Sequence, residues 1–328
     1  MLDRLFSQLA GVIDQYAILP ILYHFGWMEW EELSFDWALI CVYGLFAVLL
    51  TYAICWPLEA WRPVEKWPTK KSVATDIFYT LLNRVGVIPI FSFLLFYQVQ
   101  VFFTATLTDY GFIPPTLETL IPPLFGHPLI TFLTYALILD AADYVRHRLS
   151  HSFRAWYALH ALHHAQRQMS FWSDDRNHIF DDLISFLWFF VIGLAIGVPP
   201  LQFPLLILFL KFMESLSHAN VKLDFGPLGE RLLISPRFHR RHHAIAAAGR
   251  KSCNYGAVFP YWDILLRTAD FTPDYLPTGD PKSPEPLATG TYLQQQFSGA
   301  KLFAKAWQKK DHGLSLLAPP DIELDRAP

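Results

Sequence analysis

From Trp37 to Leu58 the chain runs without one charged side chain, and Val85 to Thr108 does so again. Helices of such length rise by more than about 30 Å, which matches the hydrocarbon thickness of a bilayer. Backbone polar groups find no water at that depth, so an α-helix that bonds its own backbone is the economical spanning form. Composition agrees: 53% of the 328 residues are hydrophobic and only 17% are charged, against roughly a quarter charged in average soluble domains. Much of the surface must therefore face lipid.

Flanking charges orient the spans. Glu29, Glu31, Glu32 and Asp36 precede the first stretch, whereas Arg62, Lys66, Lys70 and Lys71 follow it. The positive-inside rule then puts residues 60–75 in the cytoplasm. The second stretch runs outward into a loop, 109–127, that holds Asp109 and Glu118 but no Lys or Arg. A third, beginning near Pro128, returns inward and continues as helix into Arg146 and Arg148. Leu183–Leu210 is uncharged but too long for one straight span, and Val198-Pro199-Pro200 and Pro204 interrupt it, so a helical hairpin is expected. The fold class is all-α: an integral membrane bundle of about four to five membrane helices, including the hairpin, beneath a cytosolic histidine-rich helical cap. The organisation expected is an N-terminal segment 1–36, a membrane and catalytic unit 37–270, and a water-exposed C-terminal tail 271–328 with one amphipathic stretch, Leu293–Gln308.

Several classes are set aside. Asp3 and Asp14 near the start, and no small-residue site behind Ala17–Trp27, argue against a cleaved signal. Cys41, Cys55 and Cys253 form no CxxC and no paired framework. A net charge of −3 and no concentrated basic surface offer nothing to nucleic acid. Nothing in the sequence specifies an oligomeric state.

Of thirteen histidines, ten fall between positions 147 and 243. His147 and His151 form HRLSH, His160, His163 and His164 form HALHH, and His239, His242 and His243 form HRRHH; His178 and His218 stand between. On a helix, residues three and four apart share a face, so each group aims its imidazoles at one point. Neutral imidazole suits iron, zinc, copper or nickel, and eight to ten donors exceed the needs of one ion, which implies two metals. A single HxxxH is as readily a hydrogen-bonded surface pair, but three groups in so uncharged a chain are not. Buried without metal, they would need many partners or repel one another when protonated. No HExxH pattern supplies a carboxylate for hydrolysis, and the C–H bonds of membrane lipids yield only to activated oxygen. His24, His127 and His312 lie outside the groups and are read as ordinary surface residues.

The runs Asp140–His151, 160–164 and 217–243, followed by NYGAVFPYWDILLRTAD at 254–270, resemble the histidine boxes of the fatty acid hydroxylase and sterol desaturase superfamily. The resemblance covers about 130–270. It implies a helical membrane anchor, a cytosolic cap, two non-haem irons, O2 as co-substrate, a membrane lipid substrate and an external electron donor such as cytochrome b5, a ferredoxin or a reductase. It makes His147, His151, His160, His163, His164, His239, His242 and His243 metal ligands and matches His178 and His218 to isolated ligands. Asp140, Asp143 and Tyr144, one or two turns before His147, are placed to orient ligands or to pack their helix, and Asn220 is a further candidate. No electron-carrier region is fused to the chain, and Arg240, Arg241, Arg250 and Lys251 are either a landing surface for the donor or markers of topology. Trp188, Phe189 and Phe190 line a lipid tunnel or anchor the hairpin.

The leading reading is a lipid hydroxylase acting on a fatty acyl, sterol or related lipid. A desaturase or an alkylglycerol ether monooxygenase would share every ligand. From another class, a histidine-rich metal transporter would put its ligands near the bilayer midplane at broken helices, whereas these groups lie in charged segments outside the apolar runs.

Overall fold

The computed structural model describes residues 2–67, 71–124, 126–196, 204–245 and 252–308. Its long helices are α1 (Leu2–Ile13), α2 (Leu19–Phe25), α3 (Glu31–Trp61), α4 (Lys71–Arg84), α5 (Val87–Asp109), α7 (Pro128–Ser152), α8 (Arg154–His164), α9 (Ile179–Ile196), α10 (Pro204–His218) and α15 (Tyr292–Gln308). Short helices fill the links: α6 (Leu117–Leu120), α11 (Gly226–Gly229), α12 (Pro236–His242), α13 (Tyr261–Leu265) and α14 (Glu285–Thr289). Among the described residues there is no strand, only an isolated bridge between Ala244 and Thr278.

Among the described residues, five helical segments are long and apolar enough to cross a membrane: Arg4–Phe25, Met28–Trp61, Val87–Asp109, Pro128–Ser152 and Ile179–Ile196. The most apolar windows of Val87–Asp109 and Ile179–Ile196 are only 11% and 6% buried, so their side chains are left for lipid. The set differs from the expected one at its edges. Arg4–Phe25 qualifies although Arg4 and Asp14 interrupt it, because a π-turn at Asp14–Ile18 carries the helix on into α2. The second limb of the expected hairpin is described only as α10, from Pro204 to His218; the Val198-Pro199-Pro200 break before it lies outside the described residues, as do Arg250, Lys251 and His312.

Three apolar clusters organise the molecule. Phe6 and Ala10 of α1 close on Ala38 and Val42 of α3. Tyr135, Ala136 and Leu139 of α7 meet Leu206, Met213 and Leu216 of α10 in the membrane-side core, with Val258 and Phe259 closing over them. In the cap, Ala158, Ala161 and Leu162 of α8 pack against Leu287, Ala288 and Leu302. The stretch expected as a surface helix of a water-exposed tail therefore forms α15 and lies along the histidine helix α8. Its small residues permit this: a Cβ on Gly299 would stand 2.5 Å from Cδ2 of His178.

Three buried ion pairs, made by two arginines, tie the cap to α4. Arg176, fully buried, pairs with Asp76 at 2.7 Å and also donates to the carbonyls of Leu287 and Ala288. Arg84 donates to Asp174 and Asp175, both at 2.6 Å. Its backbone can come so close to α3 only because residue 44 is glycine, where a Cβ would fall 1.5 Å from the Arg84 carbonyl oxygen.

Candidate metal centre

Each histidine group owes its aim to local helix geometry. His147 and His151 are one turn apart at the end of α7, and one extended residue, Phe153, turns the chain directly into α8 with His160, His163 and His164. His218 ends α10. The third group sits on α12, started by an N-cap in which the Ser235 hydroxyl accepts from the Phe238 N–H at 3.2 Å and Pro236 follows at the first helical position.

Nine of the ten histidines come together as two adjacent buried groups. His147, His151, His160, His164 and His242 form one; His163, His218, His239 and His243 form the other; within each, one ring nitrogen per residue lies within 4.8 Å of all the others. Nε2 of His163 is 3.2 Å from Nε2 of His218, which is 3.2 Å from that of His239, itself 3.2 Å from that of His243. In the first group Nε2 of His164 and Nε2 of His151 stand 3.1 Å apart. Two nitrogens bound to one ion at about 2.0–2.1 Å lie roughly 2.9–3.4 Å apart for bond angles between square and tetrahedral. The spacing fits the edge of a coordination polyhedron.

The outer nitrogens fix the proton inventory. Nδ1 of His147 faces the Tyr255 carbonyl at 2.8 Å, Nδ1 of His242 that of Cys253 at 2.7 Å, and Nδ1 of His218 that of Glu214 at 2.8 Å. Nδ1 of His160 faces the Asp181 carboxylate at 3.0 Å. Carbonyls and carboxylates only accept, so each Nδ1 carries the hydrogen and each Nε2 keeps a lone pair turned into the cluster. Nε2 of His147 and His160 are buried there without a hydrogen-bond partner. Dry, unpartnered lone pairs are costly unless something electropositive takes them, and the donor set fits two imidazole-bound metal ions. Burial, followed by the crowding of neighbouring histidines, pushes His163, His164, His239 and His243 well below the ordinary histidine range, keeping them in the neutral form that binds metal.

His178 stands apart from both groups. Its Nε2 donates to the Gln296 carbonyl at 2.9 Å and its Nδ1 accepts from the Phe180 N–H at 3.2 Å, so both nitrogens are spent in fastening α15 to the start of α9. The four candidate orienting residues touch no histidine ring. Asp140 accepts from the N–H groups of Val258 and Phe259 and from Trp262, holding the 257–262 turn against α7. Asp143 pairs with Arg146. Tyr144 bonds Thr268 and Arg148. Asn220 clasps the backbone of Glu65 through both ends of its amide.

The orienting groups that the sequence reading missed are Asp181 and the carbonyls of Glu214, Cys253 and Tyr255. Asp263 steadies the last of these by accepting from the N–H groups of Tyr255 and Gly256. A landing surface built on Arg240 and Arg241 is also corrected. Arg240 is 2% exposed and bonds Glu65 and the Leu276 carbonyl, and Arg241 pairs with Asp270 at 2.5 Å, so both are consumed in holding the cap together.

Beneath the histidines lies a cavity of about 1010 Å³. His147, His160, His163, His218 and His239 form its inner end, and it continues between α3, α5 and α9 past Ile88, Phe93, Phe189 and Phe190 as far as Gln100 and Thr104. Trp188 does not line it; its indole N–H donates to the Ala142 carbonyl at 3.0 Å.

A membrane helical bundle whose cap buries two facing imidazole groups above an apolar cavity defines a class of protein, and comparison with known sequences narrows it. Residues 132–268, which hold all nine gathered histidines and Asp181, match the model of the fatty acid hydroxylase family. The chain is 29% identical over 140 residues to an alkylglycerol monooxygenase of Caenorhabditis elegans, covering 39% of this chain and 25% of that one. It is 21% identical over 267 residues to a Delta(7)-sterol 5(6)-desaturase of Candida glabrata, covering 77% of this chain and 68% of that one. The match thus spans about a quarter of the first relative and two thirds of the second. No solved structure matches the chain.

Proposed function

We propose that this chain is a membrane-bound, O2-dependent lipid oxygenase that holds two irons, one in each histidine group, and hydroxylates a C–H bond of a fatty acyl, sterol or related lipid. The observation that carries the reading is the pair of buried groups, in which the anchored Nδ1 atoms of His147, His160, His218 and His242 turn their Nε2 lone pairs inward. Bound iron would supply the activation of O2 that an unactivated C–H bond demands. The protein's part is to hold the rings oriented toward one another, to exclude bulk water, and to lead a lipid to them through the cavity. The activities of the two relatives, an ether-lipid oxygenation and a sterol desaturation by name, support lipid as the substrate. Desaturation is the second outcome of the same site, because removing a second hydrogen instead of delivering oxygen depends on how the carbon is presented.

The cap lies on the side of the Arg62 and Lys66 charges, which supports a cytoplasmic location for the site and delivery of electrons by a separate donor. Metal transport is disfavoured because the rings are anchored by carbonyls under α12 and the 252–270 segment, a closed arrangement at the cap end of the spans rather than a path through them. The test is metal content and oxygen-dependent turnover of detergent-purified protein, beside His163→Ala, with lipid profiles of cells expressing each. About two irons per chain and a lipid that gains one oxygen or loses two hydrogens, both lost in the variant, are expected. Metal that crosses vesicle membranes with no change in lipid would replace the oxygenase by the transporter.

A further inference from the structure

The outward side of α15 is laid out in two stripes. Leu293, Phe297, Ala300, Ala304 and Trp307 follow one another at spacings of four, three, four and three and so share one face of the helix. Leu293, Phe297 and Trp307 are 64%, 67% and 63% exposed, whereas Gln295, Gly299 and Leu302 on the opposite side are buried. Beside the apolar stripe run Gln294, Ser298, Lys301 and Lys305. Residues 292–308 contain no Asp or Glu, and neither lysine pairs with an acid among the described residues. The helix lies outside residues 132–268, so the likeness to the fatty acid hydroxylase family does not reach it.

Hydrogen bonds fix the level at which α15 lies. The N–H of Ile179, the first residue of a membrane-spanning segment, donates to Oε1 of Gln296 at 2.9 Å, and His178 beside it donates to the Gln296 carbonyl at 2.9 Å. On the other flank the rings of Tyr292 and Phe78 meet edge to face with centroids 5.3 Å apart. Phe78 and Leu81 are exposed on α4 and lead to the exposed Val87 and Phe91 at the start of the α5 span. The stripe thus begins where the lipid-facing surfaces of α5 and α9 end. Water is a poor partner for it, since large apolar side chains grouped on one face mark a contact. A second copy is a poor one too. A helix of this length is about 26 Å long and about 10 Å wide, so two such faces would bury only about 500 Å² in total, against roughly 1,200 Å² for a stable interface.

We propose that α15 is an interfacial helix, its apolar stripe sunk into the leaflet on the cap side and Lys301 and Lys305 set on the phosphates of anionic phospholipids. A helix with Leu, Phe and Trp on one stripe and cations beside it lies in the plane of the membrane with its apolar face about 5–10 Å deep. Trp307 belongs at that level, where an indole keeps its ring in the apolar layer and its N–H in the polar one. The lysine stems lie along the stripe while their ammonium groups stay wet, and no acid on the helix repels a phosphate. The opposite face of α15 packs on Ala158, Ala161 and Leu162 through Leu302. The leaflet therefore backs the helix that carries His160, His163 and His164.

The experiment places an NBD fluorophore on single introduced cysteines of the full-length protein in lipid nanodiscs, with the unsubstituted chain labelled in parallel as the blank for Cys41, Cys55 and Cys253. Leu293→Cys, Phe297→Cys and Ala304→Cys sample the stripe, and Gln294→Cys and Ser298→Cys its polar flank; none of the five side chains is buried, so the labels leave the core intact. Phosphatidylcholine bearing a nitroxide high on its acyl chain should quench the stripe labels at least about twofold more than the flank labels, as a face about 5–10 Å deep requires. With the same nitroxide on phosphatidylglycerol, quenching at Phe297→Cys should be at least about twofold stronger than with phosphatidylcholine, and Lys301→Gln together with Lys305→Gln should bring the two lipids level. Even quenching around the helix, or none with emission as in water, would overturn the proposal. Blue-shifted emission along the stripe without quenching would overturn it as well, because protein rather than lipid then covers the face. Equal quenching by both lipids with the lysines in place would overturn the anionic partner. Neither readout depends on what the histidines bind, so failure here leaves the oxygenase reading standing, and failure of that reading leaves the interfacial helix.

Discussion

At the scale of single residues, the clustered histidines and the groups that anchor them differ in how they can be read from a sequence. The box histidines were visible because helical spacing of three and four puts them on one face, and the structure gathers eight of them with His218. Their anchors were not visible because three of the four are backbone carbonyls, which leave no trace in residue identity. Tyr255 is 108 positions from the ring it holds. Asp181 had a signal that went unread, a carboxylate at the head of an otherwise uncharged run, where an acid needs a partner to be worth its burial. It accepts from Nδ1 of His160 through Oδ2 and from the Trp156 indole through Oδ1. In Asp181→Asn one of those donors must face an NH2 group, and either the indole loses its acceptor or the proton of His160 moves to the ligating nitrogen. Titration of iron into the apoprotein should show affinity lowered about 10–100-fold. Trp156→Phe keeps the His160 contact and should lose less, whereas equal loss in both would mean that Asp181 acts only through packing.

At the scale of elements, the resemblance and the structure part company over His178. The resemblance implies a ligand, but the ring is spent between α9 and α15, an arrangement hidden from the sequence because it depends on a helix that composition alone suggested was a tail appendage. Gly299 is the counterpart: with no Cβ it lets α15 lie against the ring. His178→Ala should therefore retain iron at wild-type stoichiometry while amide exchange in α15 quickens; loss of one iron would restore the ligand reading. Gly44 plays the same part for the α4–α5 junction. Gly44→Ala forces a Cβ onto the Arg84 carbonyl and should cost about 1–3 kcal/mol, read as a lower melting temperature and weaker retention of the Arg84 pairs. The spans themselves were legible from missing charge, with α1–α2 passed over because two charges interrupt a helix that a π-turn carries through.

At the scale of the whole molecule, gathering so many imidazoles joins folding to protons and to metal. His163, His164, His239 and His243 are held well below the ordinary histidine value of about 6.5, first by burial and then by neighbouring histidines. As pH falls through that value the unfolded chain takes up protons that the folded chain refuses, so stability is fully present above about pH 7.5 and declines below, by up to about 1.4 kcal/mol per pH unit for each such group. Bound metal gives the same sign, since protons compete for the same lone pairs. Asp76 opposes it. Burial, partly countered by Arg176, raises its carboxyl to about 6, so its contribution falls as pH rises from 3.8 through that value; burial and the neighbouring Asp175 raise Asp174 to about 7 and burial raises Asp263 with the same sign, while His218, lowered to about 4, joins the four histidines on the other side. Melting temperatures in detergent should therefore fall steeply between pH 7 and pH 5.5, about the histidine range. A chelator should lower them further at pH 8, where all the rings are neutral and only the metal is removed, because α7, α8, α10 and α12 then lose the ions that join them. A melting temperature that does not move with pH or with chelation would mean that the two groups hold no metal and are satisfied by hydrogen bonds among themselves.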